Sequence, residues 1–106
     1  MQLRLAKLKI IDLRAGMEGI NVTGRVVKII EETEVETRFG KSRLIVAMLS
    51  DETGGIRLNL WRWQADLVRV GDVIKIENGF VRSFKGQLEL NVGSKGKIIT
   101  VSRTRR

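Results

Sequence analysis

The sequence predicts an all-β fold, a five-stranded barrel of Greek-key order with one short helix between its third and fourth strands. Three observations carry that expectation. Apolar and polar residues alternate through most of the 106 residues, the period of strands with one buried face. Proline is absent, and glycines fall between the alternating stretches where turns are needed. The alternation lapses across "RWQADLVRVG" (62–71), where Trp63, Leu67 and Val70 recur at helical spacing and Gly71 follows like a C-cap.

Taken in order, "GINVTGRVVKIIE" (19–31) is the first strand, and Gly24 in its middle marks a bend or bulge. "ETEVETRFGKS" (32–42) is polar and is expected as a long loop, with or without strand extensions of its own. "RLIVAMLS" (43–50) is the second strand, "DETGG" (51–55) a turn and "IRLNLW" (56–61) the third strand. After the helix, "DVIKIENGFVRSF" (72–84) alternates again, with Ile74 and Ile76 inward. "KG" (85–86) makes a tight hairpin into "QLELNV" (87–92), with Leu88, Leu90 and Val92 inward. "GSKGKIITVSRTRR" adds a short strand and a basic tail. Three strands, a helix and two strands are the order of an OB-fold, whose first strand must curve to serve both sides of the barrel. An SH3-like barrel is the alternative, and the single helix after strand three favours the OB-fold. The expected organisation is an N-terminal extension (1–18) packed on the barrel, the OB-fold (19–101) and a basic C-terminal tail (102–106).

Composition narrows the chemistry. Cysteine is absent, which excludes disulfides and thiolate sites. Histidine is absent too, removing the commonest general base and neutral metal ligand. Neither a nucleophile–base pair nor a phosphate-cradling loop is present, so a non-enzymatic role without cofactor or metal is expected. No apolar run approaches the roughly 20 residues of a membrane span, and the N-terminal stretch lacks a signal-peptide core. A cytoplasmic, nucleoid-associated protein is expected. Twenty Lys and Arg against 12 Asp and Glu give a formal charge of +8. The excess gathers at the two ends of the chain, with an acidic patch at Glu31, Glu32, Glu34 and Glu36 between them. A concentrated charge of this size fits a polyanionic partner, and equally a solubilising surface of the kind heat-adapted proteins carry.

The third strand poses a sharper question. Ile56, Leu58 and Leu60 face the core, which leaves Arg57, Asn59 and Trp61 on the opposite side. Trp61 there is either a platform for a flat ligand or an amphipathic lid on the barrel. On strand four, a bulge at Asn78-Gly79 flips the phase and puts Phe80, Arg82 and Phe84 outside; without it both rings belong to the core. Gln87, Glu89 and Asn91 take the polar face of strand five. Trp63 is expected to pack in the core or as a cap. Phe39, flanked by Arg38, Lys41 and Arg43, is either a loop-tip finger or a plug on the barrel rim. Rings among cations suit unpaired nucleic acid, since every base has a face to stack and every nucleotide a phosphate.

"NVTGRVV", "DETGGIRLNLW", "GDVIKIENGF" and "FKGQLELNVGSKGKI" together resemble the archaeal single-stranded DNA-binding proteins built on one OB-fold, of the replication protein A type. The resemblance runs from about Leu8 to Ile99. It implies three stacking rings, Trp61, Phe80 and Phe84, with Phe80 standing where relatives often carry tryptophan. Arg57, Asn59, Arg82 and Lys85 beside the rings, and Arg38, Lys41 and Arg43 around Phe39, are the candidates for phosphate or polar contact. Phe39, where relatives tend to be polar, is a candidate fourth aromatic contact or a point of self-association. Relatives often end in a Gly-rich acidic tail that recruits other proteins, whereas this sequence ends "SRTRR". The expected function is binding of single-stranded DNA with little sequence preference, in replication, recombination or repair, with replication or repair proteins as further partners. An RNA-binding OB domain and a protein-interaction OB subunit of a larger complex are the alternatives.

Overall fold

A computed structural model describes residues 8–103. Its strands are β1 (Glu18–Thr37), β2 (Gly40–Asp51), β3 (Gly54–Trp61), β4 (Val73–Phe84) and β5 (Gln87–Ser102), with a 3₁₀ helix (Arg62–Leu67) between β3 and β4. They close into a barrel in the order β1-β2-β3-β5-β4, antiparallel except for the β3–β5 pair. This is the expected OB-fold. Alternate residues of every strand fill the interior, among them Ile20, Val22, Leu49, Leu58, Ile74 and Leu90, each at most 2% exposed.

β1 carries the closure. Residues from Glu18 to Arg25 pair with β4 and those from Arg25 to Thr37 with β2, so one strand serves both sides. Gly24 stands at the handover, where a Cβ would lie 2.9 Å from both Leu49 Cγ and the Ser50 carbonyl. Any side chain there would force β1 away from β2.

Three expectations are corrected. Residues 32–42 are no loop: β1 and β2 continue as a two-stranded ribbon whose turn is Arg38-Phe39. Thr33, Val35 and Thr37 are half-buried while Glu34 and Glu36 face out, an alternation hidden under the acidic composition. The helical stretch is shorter and turned the other way. Trp63, Leu67 and Val70 are 63%, 41% and 55% exposed, so Trp63 does not pack in the core. A 3₁₀ helix has three residues per turn, which breaks the i, i+4, i+7 stripe. Gln64 and Ala65 plug the barrel instead; the Gln64 amide accepts from the Trp61 N–H and donates to the Val92 carbonyl, at 3.0 and 2.8 Å. Finally, the closing strand is not separate. β5 is continuous through Ser102 and pairs with β4 along both its halves.

Ahead of β1, Ile10 and Leu13 are buried against the barrel, and the Ile10 N–H donates to Asp51. Residues 1–7 of the expected extension and 104–106 of the expected tail lie outside the described residues. At the other end Arg103 is pinned. Its Nε and Nη2 each lie 3.0 Å from the carboxylate of Asp72, which is fully buried and also accepts from the Arg69 N–H. The Arg103 guanidinium, helped by that N–H, holds the Asp72 carboxyl below its ordinary range against the opposing effect of burial.

Asp72 thus ionises more readily in the folded chain than in the unfolded one. The pair's stabilisation is fully present above the ordinary carboxylate pKa of about 4 and is lost as the pH falls through the lower folded value. Urea denaturation of Arg103→Ala should show a lower midpoint than wild type at pH 7, with the gap narrowing on acidification below pH ~4. A gap independent of pH would assign the loss to packing instead.

Candidate nucleic-acid interface

The outer faces of β3, β5 and β4 form one surface, and the pairing registers order it in rows. Arg57, Glu89 and Arg82 stand side by side, as do Asn59, Asn91 and Phe80; Phe84 lies opposite Gln87. Trp61 ends β3, opposite Leu44 of β2.

Phe80, Arg82 and Phe84 reach this face through a bulge. Ile74 and Ile76 point inward, the pairing with β5 slips between Glu77 and Gly79, and Gly79 and Val81 then take the inner phase. Asn78 absorbs the slip at φ +57°, a conformation asparagine tolerates better than most residues. Its N–H donates to Asn21 Oδ1 at 3.0 Å and its side-chain amide to the Lys95 carbonyl at 3.4 Å. Arg62, directly after Trp61, and Lys85, directly after Phe84, are the other described non-glycine residues with positive φ. Residues of left-handed backbone thus flank the three rings.

Burial separates the candidate residues into two groups. Asn59, expected among the exposed polar contacts, is only 6% exposed. Its amide donates to Glu89 Oε1 at 3.0 Å and Asn91 Oδ1 at 3.2 Å, which fixes the flip of the group. Arg57 is likewise held, 3.6 Å from Glu31 and 3.7 Å from Glu89. Arg43 is shared between Glu32 at 3.3 Å and Asp66 at 3.2 Å. These side chains build the floor and edge of the surface. Arg82 and Lys85 are different: no carboxylate lies within 4.0 Å of either among the described residues. The Arg82 guanidinium sits 4.9 Å from the Phe80 ring centre, and the Lys85 ammonium 5.3 Å from that of Phe84.

The rings border open grooves. One of about 440 Å³ is lined by Val35, Leu44, Val46, Asn59, Trp61 and Phe84, with Arg57, Lys85 and Glu89 at its margin. A second, of about 490 Å³, lies on the ribbon side of Trp61 and is lined by Thr37, Arg38, Phe39, Ser42, Trp61 and Arg62. Trp61 is therefore the wall common to both. Phe84 is 57% and Phe39 80% exposed, whereas Trp61 and Phe80 are half-buried on the outer side. Lys41 is exposed beside the ribbon turn. The sequence reading missed Val35, Leu44 and Val46 as an apolar groove lining, and Arg62, which donates to Ser42 Oγ at 3.1 Å. The period-two pattern through Thr33, Val35 and Thr37 was the signal that could have found the first of these.

A surface of this kind has relatives. Residues 13–100 match the family described as single-stranded DNA binding protein Ssb-like, OB fold. The chain belongs to this family. Among Ssb-like relatives, the "Single-stranded DNA binding protein Ssb" of Saccharolobus solfataricus is 42% identical over 94 residues, covering 89% of this chain and 64% of that protein. "Replication factor A" of Methanothermobacter thermautotrophicus is 31% identical over 100 residues, covering 92% of this chain but 13% of that protein. The chain thus spans less than two thirds of the length of either relative. The solution structure of a replication factor A related protein from Methanobacterium thermoautotrophicum matches over the whole of both chains, with a TM-score of 0.76 and 29% identity.

The bulge is testable by backbone conformation alone. Asn78→Gly should leave stability nearly unchanged, whereas Asn78→Val, a β-branched residue forced to positive φ, should cost about 1–2 kcal/mol in urea denaturation. Equal effects of the two substitutions would show that φ at this position is not what holds the bulge.

Proposed function

We propose that this chain binds single-stranded DNA with little sequence preference, as a non-enzymatic component of replication, recombination or repair. The observation that carries the reading is the convergence of Trp61, Phe80 and Phe84 on one outer face, beside cations that have no carboxylate within 4.0 Å among the described residues. Each ring accepts any unpaired base by stacking, and a duplex, whose bases already stack on one another, offers nothing to them. Arg82 and Lys85 take phosphates directly. Arg38 and Lys41 extend the positive track along the ribbon, where Phe39 supplies a fourth ring across the groove from Trp61. Arg57, Asn59 and Arg43 act chiefly by holding the floor in place. Membership of the Ssb-like family, and the match to replication factor A in particular, supports this reading and its setting among replication proteins on intracellular DNA.

A fluorescence titration with oligothymidine and oligouridine at two salt concentrations tests it. Binding should quench tryptophan emission, and Trp61→Ala should weaken affinity by about 1–3 kcal/mol. The logarithm of the affinity should fall with the logarithm of salt at a slope near −0.7 for each phosphate neutralised. Binding indifferent to both salt and Trp61 would sink the proposal, and a clear preference for oligouridine would transfer it to RNA.

A further inference from the structure

Among the described residues no carboxylate lies within 4.0 Å of the cations over the phenyl rings, although Glu89 and Glu18 are near Arg82. Arg43, Arg57 and Arg103 each lie within 4.0 Å of a carboxylate, but Arg82 and Lys85 lean on Phe80 and Phe84 instead, at 4.9 and 5.3 Å from the ring centres. A ring face that carries a guanidinium is not open to a base. Room for the exchange exists next to Phe80, in a hollow of about 270 Å³ bordered by Gly79, Gly93, Gly96, Lys95, Phe80 and Arg82. A Cβ at Gly93 would already stand 3.5 Å from Phe80 Cε1, so the missing side chain keeps that edge of the ring clear.

We infer that Arg82 is a displaceable cover, seated on Phe80 in the free protein and handed over to a phosphate when a base takes its place, with Lys85 doing the same at Phe84. The inference rests on the proposal that these rings stack on bases. Its chemistry is an exchange of partners. Arg82 gives up a cation–π contact and gains a charge-assisted hydrogen bond to the phosphate of the nucleotide that displaced it. A stacked guanidinium keeps its in-plane N–H groups for a phosphate but occupies the ring face that a base needs, so stacking on Phe80 requires Arg82 to move aside.

The two roles respond differently to salt, which separates them. The phosphate contact fades as salt rises, while competition for the ring persists. Arg82→Ala should therefore bind oligothymidine more weakly than wild type at low salt, with a log–log slope shallower by about 0.7. Near molar salt the variant, its ring uncovered, should bind roughly two- to fivefold more tightly, so the two lines cross. Lines that converge without crossing would make Arg82 a phosphate contact alone. Lines that stay apart, with the variant weaker throughout, would place the guanidinium between ring and base. Either result overturns the inference.

Proton NMR reads the same event directly. The δ-methylene protons of Arg82 should be shifted upfield by the Phe80 ring in the free protein, lose that shift in Phe80→Leu, and lose it in the wild type on saturation with oligothymidine. A shift that survives saturation overturns the handover. Should wild-type protein fail to bind oligothymidine at all, the stacking proposal falls first and the cover with it.

Discussion

Between Ile76 and Gly79 the fourth strand carries one residue more than β1 opposite it, while its pairing with β5 jumps from Lys97 to Val92, and the outer surface follows from that slip. Strict alternation from Ile74 and Ile76 would have carried Phe80, Arg82 and Phe84 into the barrel. With Asn78 inserted, Gly79 and Val81 take the inner positions, and two phenyl rings with a guanidinium between them face solvent. The inner face loses little by it, because Gly79 sits where a Cβ would meet Ile76 at 2.9 Å. A small residue inside and large ones outside are two sides of one backbone event.

Charge is organised by the same surface. Several acids near the site are already engaged: Glu31 and Glu89 with Arg57, Glu32 and Asp66 with Arg43. Among the described cations left without a carboxylate within 4.0 Å are Arg82 and Lys85 beside the rings and Arg38 and Lys41 at the ribbon turn. A net charge of +8 says only that polyanions are attracted. The pairing pattern says which cations are free to meet them. The Asn59 carbonyl oxygen is the one uncompensated acceptor among the described side chains of this floor, a cost the ladder of Glu89, Asn59 and Asn91 carries in holding β3 to β5.

Much of this was legible in the sequence because period-two patterning is strict. The phase of Ile56, Leu58 and Leu60 put Trp61 outside, and Asn-Gly within an alternating run announced the bulge. Residues 32–42 were obscured because three glutamates overwhelmed the Thr-Val-Thr alternation interleaved with them. The stretch from Trp63 to Val70 misled because apolar spacing fits an α-helix while the chain forms a 3₁₀ helix, so its largest side chains end in solvent. Burial of Asn59 was beyond the pattern. Phase tells which side of a strand a residue takes, but not whether neighbouring side chains close over it there.

The ribbon that replaced the expected loop divides the molecule mechanically. Past Glu31 the ribbon is held by its ladder, by Val35 and Leu44, and to the barrel by Arg43–Asp66, Arg62–Ser42 and the Leu44–Trp61 pairing; none of the described core residues lies between Glu32 and Leu44. Amide protons there can exchange with solvent through fraying that leaves the barrel intact, while those of Leu58, Ile74 and Leu90 must wait for the whole fold to open. The arm that borders Trp61 thus opens at a lower free-energy cost than the barrel wall to which it is tethered.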